Sequence, residues 1–239
     1  MKALINYGHG PKNMGYDPGA IGPTGYQEAT QNKEVGELVA SKLRANGWEI
    51  QTIQDGDLWD VTNKANETNP FNPDVFLSIH ANSFADPTVH GIETHALSPG
   101  GKGEKLAREI QKELISATGL FDRGIKFSNF HVLRETDDPA VLVELGFMSN
   151  PKEEALMKQN SFDELLASAI CRGFSRGMGI AYVEPVKPVI PPPTPSPAIS
   201  DPNVNFLVWV RTSKAEQAKE QINALGYACE QFPLELRKD

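Results

Sequence analysis

The 239-residue chain has only two cysteines, no long apolar run and no surplus of positive charge. Cys171 and Cys229 fall on opposite sides of a proline-rich stretch, which argues against a disulfide framework. Cys171 sits in an amphipathic pattern and reads as a small core residue. No segment reaches the roughly 20 apolar residues of a membrane-spanning helix. Lys and Arg number 23 against 31 Asp and Glu, a formal net charge of −8, so the electrostatic footprint of a nucleic-acid binder is missing. Met1 and Lys2 lead directly into an apolar strand pattern without a secretory leader. The expectation is a protein made in the cytoplasm, or one whose leader has been removed. The contiguous HExxH zinc motif is missing too. A metal site, if there is one, has to be assembled from distant parts of the chain.

Proline, by contrast, is concentrated in one place. Pro185, Pro188, Pro191, Pro192, Pro193, Pro195, Pro197 and Pro202 fall close together, with Thr and Ser between them. That composition predicts a semi-rigid extended linker. The expected organisation is a large domain at 1–182, a linker at 183–202 and a small module at 203–239.

Within the large domain, apolar runs alternate with helical patterns. Residues 2–7, 74–79 and 140–145 are short and nearly continuously apolar, as parallel strands covered on both faces require. Val35, Leu38, Val39 and Leu43 share one face of a helix expected at 29–46, which Gly47 stops. Further strands are expected at 48–53, 91–97 and 130–133, and helices at 57–66 and 105–118. Asn150-Pro151 predicts a capped helix start. Ser161 with Glu164 predicts a capping box for a last helix reaching about Met178. The fold class is α/β, with a mostly parallel or mixed sheet.

Three strand ends carry polar residues with chemical capacity. His9 follows the first strand in Gly8-His9-Gly10, and His80 ends the second in Ser78-Ile79-His80-Ala81-Asn82. Glu144 ends the third, between Val143 and Leu145, and Glu28 starts the helix after the first strand. Ligands gather outside the carboxyl ends of strands in open α/β sheets. Two imidazoles and a carboxylate suit catalytic zinc, which leaves a position open for water. The remaining glutamate could take that water's proton. A carboxylate inside an apolar run is costly unless it is paired, hydrogen-bonded or near a metal. This pattern predicts hydrolysis with His9, Glu28 and His80 around Zn2+ and Glu144 as the base. Singly, each residue also has an ordinary reading: a turn or core histidine, or an acid favoured at a helix N-terminus.

The same segments carry a resemblance. Gly8-His9-Gly10, Asp17-Pro18-Gly19-Ala20, Gly25-Tyr26-Gln27-Glu28 and Phe76-Leu77-Ser78-Ile79-His80-Ala81-Asn82 come first. Gly91-Ile92-Glu93-Thr94, Asp122-Arg123-Gly124-Ile125-Lys126, Val132-Leu133-Arg134, the run from Pro139 to Phe147 and Ser149-Asn150 follow in order. Over the first 180 or so residues the chain resembles the zinc-dependent N-acetylmuramoyl-L-alanine amidases of the Amidase_3 family. The resemblance implies a twisted six-stranded sheet with helices on both faces and hydrolysis of the bond between N-acetylmuramic acid and L-alanine in bacterial peptidoglycan. It implies His9, Glu28 and His80 as zinc ligands and Glu144 as the catalytic glutamate. Asn6-Tyr7 departs from the Asp and small residue often found before Gly-His-Gly, and the arginine often found ahead of the Ala-Asn pair, here Ala65-Asn66, is missing. The stretch 91–124 holds one strand and one helix, leaving no room for the long autoinhibitory insertion of some members.

Asn82 reads either as a residue that orients a ligand or binds substrate, or as one that fixes a turn. Arg123 and Arg134 are candidates for the carboxylates of a muropeptide, with surface charge as the alternative. His131 is a candidate neighbour of the site. His90 reads as a surface turn, and His95 as facing either cleft or solvent. In the tail, a strand at 206–210, a helix at 214–224 and a strand at 227–232 resemble the first half of a peptidoglycan-binding SPOR domain. That module is shorter than the roughly 40 residues needed to fold unaided. It is therefore expected to pair in a homodimer or to pack on the catalytic domain. The leading function is a peptidoglycan amidase of the phage-lysin type, acting at the bacterial wall after release or export. A non-catalytic wall-binding protein and a zinc carboxypeptidase on the stem peptide are the alternatives.

Overall fold

Residue parity along the strands decides which side of the sheet becomes core and which becomes site. The computed structural model describes residues 1–66 and 70–185, all within the unit Met1–Pro185. Most of the expected linker and the whole module at 203–239 lie outside the described residues, as does the expected pairing of that module. The chain begins with β1 (Lys2–Gly8), a hairpin of β2 (Gly10–Lys12) and β3 (Gly15–Asp17), and helix α1 (Glu28–Ala45). It continues with β4 (Glu49–Asp55), α2 (Leu58–Ala65), β5 (Val75–Asn82), β6 (Ile92–Ala96) and α3 (Lys102–Thr118). Then come β7 (Asp122–Phe127), α4 (His131–Arg134), β8 (Ala140–Phe147), α5 (Pro151–Met157) and α6 (Asn160–Gly177).

Six strands form one sheet in the order β4-β1-β5-β8-β6-β7. The first four are parallel neighbours, β6 runs antiparallel to β8, and β7 lies parallel to β6. The mixed six-stranded sheet with helices on both faces matches the expectation.

Side chains alternate across a strand. Odd-numbered residues of three strands (Ala3, Ile5 and Tyr7; Val75, Leu77 and Ile79; Val141, Val143 and Leu145) meet the larger core. Val35, Val39 and Leu43 of α1, Leu106, Ile110 and Leu114 of α3, and Leu166, Ile170 and Phe174 of α6 cover them. These residues recur every three or four positions, as one buried helical face requires. Full burial of such side chains contributes roughly 1.5–3 kcal/mol each. Cys171 is buried in the same core, as its pattern predicts.

The even-numbered face is covered only part of the way. Leu4, Phe76 and Leu142 pack with Val61 and Ala65 of α2 and with Val132 and Leu133 of α4. Next comes a polar layer in which Ser78 Oγ donates to Asn6 Oδ1 at 2.7 Å. Asn6 thereby occupies a structural position just below the strand ends. The central strands are thus apolar on both faces only in their first halves; further along, the even side turns polar.

Several local expectations are corrected. A strand is expected at 130–133, but Phe130 only precedes the short helix α4, which begins at His131. A strand would send the adjacent Val132 and Leu133 to opposite faces, whereas the turn of helix buries both in the smaller core. The edge position is taken by β7, which the sequence pattern did not mark. The last helix begins at Asn160 after Gln159, without a side-chain cap, so Ser161 does not form a capping box. Glu164 is instead paired with Lys42 at 3.1 Å. Asn150, by contrast, does cap α5, accepting from the backbone N–H groups of Lys152 and Glu153. At the end of the unit, Val183 exchanges hydrogen bonds with the Asn46 side chain, and Glu184 accepts from Lys42 and Ser168.

Candidate active site

β1 delivers His9 through a turn that holds its backbone at φ 63°, a conformation rare for a residue with a side chain. His80 lies near the end of β5, and Glu28 is the first residue of α1. One donor atom from each of His9, Glu28 and His80 lies within 4.8 Å of the other two. His9 Nε2 is 3.2 Å from Glu28 Oε2, and His80 Nδ1 is 3.0 Å from Glu28 Oε1. The two imidazoles meet edge to face with centroids 5.1 Å apart.

This approach requires small neighbours. A Cβ on Gly8 would stand 2.2 Å from the His80 ring, so the imidazole lies over bare backbone there. Gly19, at φ 65°, would place a Cβ 2.6 Å from Glu28 Oε2 and 2.7 Å from His9. Only glycine combines that backbone with that contact.

Each donor is also oriented. His9 Nδ1 donates to Asp17 Oδ2 at 3.0 Å, which turns Nε2 toward the cluster. Glu28 Oε2 accepts from Ala20 N at 2.8 Å, and Oε1 from Ala81 N at 3.2 Å and Asn32 Nδ2 at 3.3 Å. Burial by itself would raise the Glu28 pKa, but the hydrogen bonds and charges of His80 and His9 outweigh it and lower it. For His9, burial pulls the other way, and Glu28 and then Asp17 lift its pKa to about 9. Asp17 falls to about 2 despite its burial, chiefly through His9.

Glu144 stands opposite His80 in the β5–β8 register and opposite Glu93 in the β6–β8 register. His80, Glu144 and Glu93 therefore form a row across three strands on the even face. Glu144 Oε2 is enclosed and has no hydrogen-bond partner among the described residues. Burial first, then the negative charges of Glu28 and Glu93, push its pKa well up. His9, Glu28 and His80 thus present three converging donor atoms at one end of the sheet, a set that suits a divalent cation.

Glu93 has partners of its own. It accepts from Asn82 Nδ2 at 3.0 Å and Arg123 Nε at 2.8 Å, and His95 Nε2 is 3.3 Å away. Its pKa falls to about 2, through His95 first and then, against some desolvation, Arg123. Asn82 and Arg123 are therefore tied to the cluster through Glu93. His95 is buried on the cleft side and also meets Ser128 Oγ at 2.8 Å. Arg134 is not drawn in; it bonds Asn129 and Glu135 at the surface. His131 packs against Trp59, with centroids 5.5 Å apart. His90 is exposed, as a turn residue should be.

Asp17, Asn32, Glu93 and His95 had no assigned role in the sequence reading. Glu93 carried the same signal as Glu144, a carboxylate inside an apolar strand, and could have been found by it. Asn32 carried none, since its partners are set by one turn of α1, and Asp17 stood out only within Asp17-Pro18-Gly19-Ala20, its tie to His9 being set by the hairpin.

The profile of the Amidase_3 family, N-acetylmuramoyl-L-alanine amidase, matches residues 4–176. The N-acetylmuramoyl-L-alanine amidase LytC of Bacillus subtilis (strain 168) is 31% identical over 173 residues, which are 71% of this chain and 34% of LytC. The chain thus spans about a third of that relative's length. The sporulation-specific N-acetylmuramoyl-L-alanine amidase of the same organism is 33% identical over 187 residues, 76% of this chain and 68% of the relative. Among solved structures, the catalytic domain of CwlV, an N-acetylmuramoyl-L-alanine amidase from Bacillus (Paenibacillus) polymyxa var. colistinus, superposes with a TM-score of 0.68 at 33% identity. That match covers 75% of this chain and 99% of the CwlV domain. The sequence, the mixed sheet and the His–Glu–His cluster lead to one conclusion: the chain belongs to the Amidase_3 family of N-acetylmuramoyl-L-alanine amidases.

Proposed function

We propose that the domain hydrolyses the amide between the lactyl group of N-acetylmuramic acid and L-alanine in bacterial peptidoglycan. The observation that carries this reading is the convergence of His9, Glu28 and His80 within 4.8 Å, with Glu144 opposite His80 across β5 and β8. His9, Glu28 and His80 hold Zn2+ in this reading. When bound, zinc polarises a carbonyl oxygen and lowers the pKa of water from 15.7 toward about 7.

The chain's own residues do the rest. Asp17 keeps the proton of His9 on Nδ1, so that Nε2 can act as a donor atom. The Ala20 and Ala81 N–H groups fix the Glu28 carboxylate. Glu144 takes a proton from the attacking water and returns it to the departing nitrogen of L-alanine. A carboxyl with raised proton affinity suits both transfers, and the part of that rise due to Glu28 falls once the Glu28 charge is neutralised. Asn82 and Arg123, held by Glu93, act on the substrate side of the cleft.

Among the described residues no helix is long and apolar enough to cross a membrane. We place the site of action at the bacterial wall, with residues 203–239 serving in wall binding or pairing. Mass spectrometry of purified peptidoglycan digested by the zinc-loaded protein tests the reading. Stem peptides with a newly free L-alanine amino group, lost with EDTA and restored by zinc, are expected. Released D-alanine would point to a carboxypeptidase, and an uncut wall that still binds the protein would point to a scaffold.

A further inference from the structure

Trp59 opens α2 and is 66% exposed, although Val61 and Ala65 of the same helix are buried. The Asp57 side chain caps the helix by accepting from Trp59 N at 3.0 Å. The indole meets the His131 ring edge to face at 71°. Its root is fixed while most of the residue remains in solvent. α2 and α4 cover the even side of the sheet only as far as the polar layer of Asn6 and Ser78. Trp59 follows Asp55 of β4, which pairs with Gly8 just before His9, so the indole stands at the end of the sheet that carries the histidines.

The surroundings select a ligand class. Asn13 Nδ2 lies 3.4 Å from Asp57 Oδ2 and 3.5 Å from Asp60 Oδ2, which places two acids and an amide beside Trp59. Such groups bond hydroxyl and acetamido groups and repel carboxylates. At the other side of the sheet the charge is reversed. Arg123 of β7 is anchored through Nε to Glu93 and lies 4.8 Å above the Phe147 ring. In strand order, the metal donors and Glu144 fall between these two walls.

The proposed substrate is divided in the same way, with a neutral chain of N-acetyl sugars on one side of the scissile amide and a carboxylate-bearing peptide on the other. Resting on that reading of the substrate, we propose that Trp59, with Asp57, Asp60 and Asn13, forms a glycan subsite. A sugar ring packs its C–H face on the indole, and the stem peptide leaves toward Arg123.

The test is calorimetric titration of the full chain with a β-1,4-linked tetramer of N-acetylglucosamine. This probe lacks the cleavable amide, so its binding is independent of hydrolysis. W59A is expected to weaken binding about tenfold, the scale of one aromatic contact. W59F should retain most of the affinity, and R123Q should leave it unchanged. The tetramer binding W59A as tightly as wild type, failing to bind wild type, or weakening equally with R123Q would each overturn the subsite. Trp59 is exposed, so an unchanged melting temperature for W59A separates lost binding from lost fold. Failure of the amidase reading registers separately, as absence of L-alanine-terminated peptides from digested wall.

Discussion

The two faces of the sheet are made from the same strands and do opposite things. Odd residues of β1, β5 and β8 are apolar to the end and lie under three long helices. Even residues of those strands begin apolar, at Leu4, Phe76 and Leu142, and end at Gly8, His80 and Glu144. On that side the two covering helices have eight and four residues. Stability is concentrated where the cover is complete, and the candidate site lies where it stops. Burying charged groups is costly, so the residues proposed for catalysis sit where the short helices end.

The comparison is tested most strongly by changing one residue on each face. Glu144→Gln should reduce turnover on peptidoglycan by about 10²–10⁴-fold. Zinc content by atomic absorption should remain near one per chain, and the melting temperature should not fall. Near-normal cleavage would remove Glu144 from the reaction. Phe174→Ala, on the closed face, should do the reverse. A fully buried aromatic truncated to alanine costs about 3–5 kcal/mol, read by urea unfolding, while specific activity of the folded fraction persists.

A smaller change lies on the boundary between backbone and site. Gly8→Ala places a methyl on the His80 ring and should weaken zinc affinity about 10–100-fold, as loss of ligand orientation does. Competition with a chelator measures this, and unchanged affinity would mean that the His80 ring can shift without penalty. The smallest effect expected is a pH trend in the metal-free protein. The His9 pKa is raised from 6.5 to about 9, so its contribution is fully present below about pH 6.5 and is lost as pH rises through about 9. The melting temperature of the metal-free protein should therefore decline across that window. With zinc bound the decline should be absent, since metal binding requires the neutral imidazole. A flat metal-free profile would contradict the Glu28 and Asp17 contacts.

Legibility in the sequence followed the range of the interactions. α1, α3, β1, β5 and β8 were read to within a few residues because each repeats a local period set by its own side chains. β7 was not, because DRGIKF has no alternating pattern and its edge place depends on pairing with β6. α4 was mistaken for a strand because two adjacent apolar residues fit either state. His9, Glu28, His80 and Glu144 stood out as polar residues at the ends of apolar runs. Their convergence was expected from their places at strand ends, whereas the ties of Asp17 to His9 and of Glu93 to Asn82 and Arg123 could not be read from spacing.

By itself, the sequence determined the strand and helix periods, the polar residues at the strand ends and the family that those segments resemble. Only the tertiary structure decided that the even face is half covered, that β6 runs antiparallel and brings Glu93 opposite Glu144, and that Trp59 is left in solvent on α2. The physical reason is one of range. Periodicity and capping act over a few residues, whereas strand order and the length of a covering helix depend on which surfaces meet across the whole chain.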